Sequence, residues 1–323
     1  MTTATTTQRR LPAAELVAVM LLAAAIFRPS IAGFLESSAL RNWSTVFVAI
    51  TIQAMPFLVG GVIVSGAIAA FVPAGWLSSV LPGRSPFVVP LAATAGMALP
   101  GCECGSVPIA GRLISRGAPA PAALAFLLSA PAINPVVLIA TAVAFPGQPK
   151  VVLARYLASL ATATVVGLIW FRVGRAEWTA RPTTRVEHEQ SRSATFVETV
   201  QHDFLHAGGF LVVGAIAAAI LQTVVPRTVL DSVAGSGIAA VSAMAVLAVV
   251  LAICSEADAF VAASLAQFSL TSRLVFLVVG PAVDIKLIAL QAGVFGRSFA
   301  LRFAPLTFVV AVSCSLVVGA LLL

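Results

Sequence analysis

The chain has 323 residues, 60% hydrophobic and 10% charged, with a formal net charge of +7. Soluble domains carry about 25% charged residues and about 45–50% apolar ones, so no water-soluble interior hides this much apolar surface. Lipid is the solvent for most of the chain, and the basic excess belongs on loops facing anionic lipid rather than on a nucleic-acid-binding face.

Residues 1–10 form a polar tail ending in Arg9-Arg10, and residues 11–27 form an apolar run broken only by Glu15. Ile26-Phe27-Arg28-Pro29 offers no small-residue cleavage site, so the run reads as a membrane helix and not a signal peptide. Tail and helix together take residues 1–42. Residues 43–171 form a first membrane region. Its opening span, 41–72, contains Pro56 and the pair Gly60-Gly61. Residues 86–100 and 107–114 are short for a crossing, and between them lies Leu99-Pro100-Gly101-Cys102-Glu103-Cys104-Gly105-Ser106-Val107-Pro108. Residues 119–145 are long enough to span, but Pro131-Ala132-Ile133-Asn134-Pro135 interrupts them. An ordinary span over 151–171 ends in Trp170 and Phe171, where interfacial aromatics belong.

Residues 172–203 hold ten charged side chains, five of them arginine, and read as a solvated cytoplasmic linker. Residues 204–323 then repeat the first region. Gly208 stands 148 residues after Gly60, Cys254 stands 152 after Cys102, and Pro281 stands 150 after Pro131. The fold class that follows is an all-α polytopic membrane protein of two repeated halves, with short or re-entrant helix pairs, broken helices and roughly 8–10 membrane segments. Re-entrant hairpins make the halves inverted; a single broken crossing in their place makes them parallel. With the N-terminus cytoplasmic, the inverted arrangement puts twelve Lys and Arg inside, and six outside, Arg155 among the latter.

The polar residues within the apolar segments are the candidate site. Cys102 and Cys104 in an unwound loop converge on one ligand, with Ser106 capping the following helix and Pro108 in its first turn. Cys254 at the matching apex supplies a third sulfur, a set suited to pyramidal arsenic(III); paired thiolates equally suit copper(I) or zinc. Glu103, between the cysteines, lies at the same apex. The Asn134 amide is placed to bond carbonyls freed by the prolines, or substrate. Glu256, Asp258, Asp284 and Lys286 are candidates for proton coupling or ion pairing. Ser255-Glu256-Ala257-Asp258 also reads as a capping box, and Glu256 is the expected partner of Lys286, because i,i+2 residues such as Asp284 do not face each other on a helix. Cys314 reads as packing. His202 and His206, with His188 nearby, have metal-ligand spacing, but a helix start at the membrane surface accounts for them, and no metal site or cofactor is assigned.

At these residues the chain resembles the ArsP/YraQ-type predicted permeases, which include organoarsenical efflux permeases. Pro100-Gly101-Cys102-Glu103-Cys104 through Pro108, then Phe126-Leu127 through Pro131 and Asn134, carry the resemblance, which runs from Trp43 to the C-terminus. Glu103 and Pro135 depart from the residues usual in the family. The resemblance implies a plasma-membrane permease exporting small compounds, trivalent organoarsenicals among them. No phosphate-binding Gly-x-x-x-x-Gly-Lys-Ser/Thr stretch occurs, which points to a secondary transporter, proton-coupled or facilitated. Its expected partners are a small-molecule substrate and the bilayer. The alternatives are transport of another soft metal or sulfur compound and, from another class, a membrane thiol–disulfide oxidoreductase, for which Cys-x-x-Cys is the usual spacing and Cys-x-Cys a strained one.

Overall fold

The computed structural model describes residues 38–73, 76–80, 85–99, 101–174, 192–224 and 237–323. The expected first membrane helix, most of the charged linker and His188 lie outside the described residues. Val46–Leu323 form one compact unit, which holds every contact described below.

The described residues are helical, with no strand among them. In chain order the helices are α1 (Ser38–Phe71), α2 (Trp76–Val80), α3 (Val88–Ala95, continued by a 3-10 turn Gly96–Ala98), α4 (Glu103–Ser115), α5 (Ala120–Ile133), α6 (Pro135–Ala144) and α7 (Pro149–Val173). There follow α8 (Arg192–Val224), α9 (Gly237–Leu251), α10 (Asp258–Ser264), α11 (Leu270–Ala282), α12 (Ile285–Val294) and α13 (Arg297–Leu322). Six stretches of the described residues are long and apolar enough to cross a membrane: Leu40–Phe71, Ala120–Ala144, Pro149–Val173, Arg192–Leu221, Leu270–Val294 and Arg297–Leu322. The chain is therefore an all-helical, multi-pass membrane protein, with α3 and α9 as shorter apolar helices.

Two of the six spans are broken, and those two are the most deeply packed. Ala120–Ala144 is 72% buried and Leu270–Val294 is 83% buried, against 22–44% for the four continuous spans. The ordering has a physical cause. A break frees backbone N–H and C=O groups, which hydrocarbon cannot satisfy, so broken helices must be covered by protein. Both breaks use one device. Asn134 ends α5 in extended backbone, and its Oδ1 accepts from the Val137 amide at 3.0 Å, opening α6. Asp284 is likewise extended after α11, and its Oδ1 accepts from the Leu287 amide at 2.6 Å, opening α12. Pro131 and Pro281 do not end their helices; each lies inside the last turn, and the chain leaves the helix at Asn134 in the first case and at Val283, just before the capping Asp284, in the second.

Three sequence expectations change. α4 begins at Glu103 with Cys102 as its N-cap, so Ser106 is not the cap; its hydroxyl donates instead to the Glu103 carbonyl at 3.2 Å. Pro108 consequently lies within the helix and not in its first turn. Trp170, near the end of its span, turns inward and not to the lipid: it is buried, and its ring meets Phe299 and Phe303 edge-on at 5.3 and 5.4 Å, joining α7 to α13.

α1 reaches the start of α4 through backbone-to-backbone contact. A Cβ on Gly61 would lie 2.7 Å from the Gly105 carbonyl oxygen, and a Cβ on Gly105 2.8 Å from that of Phe57. Gly60, on the exposed side of α1, has nothing within 4 Å. Gly61→Ala and Gly105→Ala should each cost about 1–3 kcal/mol of overpacking, read as a lowered melting midpoint in detergent. Gly60→Ala should leave the midpoint unchanged or raised.

Candidate functional site

The site forms where the loop before α4 meets the loop before α10. Each loop places a cysteine at the residue whose carbonyl opens a helical turn. The Cys102 carbonyl accepts from Gly105 and Ser106 amides at 3.1 and 3.3 Å, and that of Cys254 from Ala257 and Asp258 amides at 2.9 and 3.1 Å. Glu103, Cys104, Cys102 and Cys254 are all buried. One ligand atom from each of Cys102, Glu103 and Cys254 lies within 4.8 Å of the other two. Cys104 lies outside that spacing, but its thiol contacts the thiol of Cys102, which also contacts that of Cys254. Cys102 is in extended backbone (φ −87°, ψ 176°) and Cys104 stands in the first turn of α4, and the two thiols of Cys-x-Cys are in side-chain contact. The trio thus joins a carboxylate to Cys102 and to Cys254, the third sulfur of the sequence reading.

Lys286 enters this group from the first turn of α12 and is completely buried. Its Nζ lies 2.5 Å from Glu103 Oε1 and 3.6 Å from Asp284 Oδ2. It also donates to the Ala252 carbonyl at 2.9 Å and lies 3.6 Å from Cys254 Sγ. Two expectations are corrected here. The partner of Lys286 is Glu103, not Glu256. Asp284 does face it despite the i,i+2 spacing, because Asp284 is extended (φ −138°, ψ 172°) and the helical rule does not reach it. Ala252, which presents its carbonyl to Lys286, has φ +46°, left-handed backbone that costs an alanine roughly 1–2 kcal/mol. Strain of that kind is held at a site by the structure around it.

A second buried ion pair stands beside the first. Arg155 of α7 is wholly buried; its Nη2 donates to Asp258 Oδ2 at 2.8 Å and to the Ser255 carbonyl at 3.2 Å. Its Nη1 donates to Thr141 Oγ1 at 2.8 Å, and that hydroxyl donates on to the Val137 carbonyl at 2.7 Å. Asp258 is thus an ion-pair partner and not a capping residue: α10 is preceded by Ala257 and has no side-chain cap. Arg155, counted from sequence among the outward-side charges, is the member of this buried group that sequence reasoning missed. Its signal was its position on the stripe Arg155, Ser159 and Thr162, spaced i, i+4, i+7 on one buried helix face.

The remaining candidates take clear places. Asn134 Nδ2 donates to the Ala130 carbonyl at 2.9 Å and the Gly101 carbonyl at 3.2 Å, so it ties the α5–α6 break to the loop carrying Cys102. Glu256 keeps both carboxylate oxygens buried and without a hydrogen-bond partner, as are Glu103 Oε2, Asp258 Oδ1 and the Ser255 hydroxyl. His202 and His206 form no metal centre with the described residues. His202 Nδ1 lies 3.3 Å from Asp203, and His206 Nε2 lies 3.1 Å from the Gly293 carbonyl. Asp203 also accepts two bonds from Arg112 Nη2, at 2.9 and 3.1 Å, and one from Ser65 at 2.7 Å, joining α1, α4 and α8. An open pocket of about 490 Å³ near Phe145, Gln148 and Tyr156 contains none of the site residues.

Removing one member of a buried ion pair strands the other charge. Arg155→Met alone should therefore cost about 3–5 kcal/mol, while Arg155→Met with Asp258→Leu should recover much of that loss. Melting of the purified single and double variants in detergent reads both values.

The chain matches the family model described as "Predicted permease" (ArsP type) over residues 39–320. It is 35% identical over 283 residues to UPF0718 protein YcgR of Bacillus subtilis (strain 168), covering 85% of this chain and 95% of that protein. It is 32% identical over 296 residues to a protein of Streptococcus mutans named putative two-component membrane permease complex subunit, covering 88% and 97%. No solved structure matches the chain significantly. With both breaks and both thiol loops inside the matched range, this chain belongs to the ArsP family of predicted membrane permeases.

Proposed function

We propose that the chain is a plasma-membrane permease exporting a small thiophilic compound, with trivalent organoarsenicals and arsenite as first candidates. Another soft metal or a sulfur compound is the alternative substrate. The observation that carries this reading is the meeting of Cys102, Glu103 and Cys254 within 4.8 Å in the buried centre. Soft centres bind thiolates by preference, and paired sulfurs from two separate loops hold a small ligand without a cofactor. Family membership favours transport over catalysis.

The two cysteine loops are the matched apexes of a repeated architecture in this proposal. Their support is the shared pattern of carbonyl acceptance at Cys102 and Cys254, and the shared caps Asn134 and Asp284 at two breaks 150 residues apart. The halves are inverted, and the apexes meet near the bilayer midplane. All three ligand residues are buried, so transport requires the two apexes to part toward one side and then the other. Substrate exchange is proton-coupled or facilitated, with Glu256 and the carboxylates around Lys286 as the groups that carry the proton. The relative described as a complex subunit adds a second subunit to the proposal, and the transport assay is to be run with the neighbouring membrane protein as well as without it.

The test is tolerance and retained metalloid in cells lacking their own arsenic exporters, exposed to methylarsenite, arsenite, copper or zinc. Expression should lower the accumulation of at least one compound, and Cys102→Ser or Cys254→Ser should return it to the level of the empty vector. Equal accumulation of all four compounds in every strain sinks the thiol-export reading. Cys314→Ser, outside the site, should behave as wild type.

A further inference from the structure

The tightest donor set at the meeting of the apexes is two sulfurs and one carboxylate oxygen, with a lysine ammonium already seated on that oxygen and the Cys104 thiol beside that of Cys102. Trivalent arsenic is satisfied by three sulfurs and carries no demand for a carboxylate; a divalent d10 cation accepts mixed sulfur and oxygen ligands in a tetrahedral site. Tetrahedral coordination with metal–sulfur bonds near 2.3 Å puts sulfur atoms about 3.8 Å apart. The present spread of at most 4.8 Å needs only about an ångström of closure.

Charge favours a cation as well. Glu103 and Asp284 flank Lys286, Asp258 pairs with Arg155, and Glu256 is buried without a partner, four acidic groups beside two basic ones, so the group stays neutral or negative until more than two of them hold a proton. Glu103 is fully buried, its Oε2 is unpartnered, and its Oε1 has Lys286 as the only ion-pair partner among the described residues. Lys286 has somewhere else to go. Asp284 Oδ2, 3.6 Å away, is buried without a hydrogen bond, and the Ala252 carbonyl holds Nζ at 2.9 Å in the meantime. A small swing of a flexible four-carbon stem transfers the ammonium from one carboxylate to the other.

Resting on the thiol-export reading above, and taking its soft-metal alternative over the arsenicals, we infer that the substrate is a divalent thiophilic cation of the zinc or cadmium type, bound by Cys102, Glu103 and Cys254 as Lys286 moves from Glu103 to Asp284. Lys286 is then a tethered counter-cation. It neutralises Glu103 while the site has no substrate and is displaced by a cation of higher charge. The two thiols bind as thiolates, their protons released on binding. A neutral arsenical gives no electrostatic reason for the lysine to leave. Glu103 between the cysteines is in this account the residue that sets specificity, and Lys286 sets affinity by competition.

The experiment uses the full chain, reduced, in lipid nanodiscs, titrated with cadmium ion alone and, separately, with phenylarsenite. Cadmium–thiolate charge-transfer absorption reads metal bound. The expected result is one cadmium per chain with a two-thiolate band, absent in Cys102→Ser and Cys254→Ser and unchanged in Cys104→Ser. Glu103→Gln should weaken binding roughly 10- to 100-fold. Lys286→Gln should tighten it roughly tenfold, the opposite of what loss of a merely structural lysine does. Should Lys286→Gln fail to fold, Lys286→Arg keeps the charge but grips Glu103 through two N–H groups, and should weaken cadmium binding.

A cadmium band that needs Cys104 as much as Cys102 overturns the inference, as does a Lys286→Gln variant of unchanged or weaker affinity. Phenylarsenite bound through Cys102 and Cys254 with no cadmium bound also overturns it, and leaves the thiol-export reading standing. Failure of both probes to bind removes both.

Discussion

Two cations buried where lipid surrounds the protein hold the centre of this structure together. Lys286 of α12 reaches the loop that opens α4, and Arg155 of α7 reaches the loop that opens α10. Each loop is thus fastened by a cation from the other side of the linker. A charge in a low-dielectric interior is tolerated only with its partner in place, so neither loop is stable without the half that supplies its cation. The broken spans Ala120–Ala144 and Leu270–Val294 depend on the same arrangement. They can be central because continuous helices cover them, and their exposed polar backbone is available to a site because they are central.

Much of the architecture was legible in the sequence because the constraints behind it are compositional. Hydropathy and length mark the spans, and prolines next to Asn134 and Asp284 mark the breaks within a few residues. The positions of Cys102 and Cys254 at paired turns follow from short apolar segments on either side of a polar, glycine-containing apex. Boundaries moved where a residue had two uses. Ser106 has the chemistry of an N-cap, but the chain enters the helix three residues earlier, at Glu103, and leaves Ser106 to bond within the first turn. Asp258 has the spacing of a capping box, but a guanidinium 2.8 Å away takes its carboxylate.

The pairing of charges was not legible, for a physical reason. Sequence shows that Glu103, Glu256, Asp258, Asp284, Lys286 and Arg155 exist, but not which of the helices at long separation face each other. Arg155 and Asp258 are 103 residues apart, and the contact depends on the packing of α7 against α11 and of α6 against α10. Asp284 with Lys286 shows the opposite case: close in sequence, yet misjudged, because a cap residue in extended backbone does not obey helical spacing.

The two ion pairs are also unequal, and the inequality bears on how the centre can move. Arg155 is fixed by a planar fork with three acceptors, Asp258, the Ser255 carbonyl and Thr141. Breaking it strands several hydrogen bonds at once, each costly in a dry interior. Lys286 is a point charge at the end of a flexible stem, between two carboxylates and a carbonyl, and it can exchange one acceptor for another without leaving the group. If the loops part during transport, the Arg155 side therefore serves as the fixed member and the Lys286 side as the moving one. That division places the adaptable charge against Cys102, Glu103 and Cys254, the three residues of the proposed ligand site, and the fixed one on the second loop, at Asp258 and the Ser255 carbonyl.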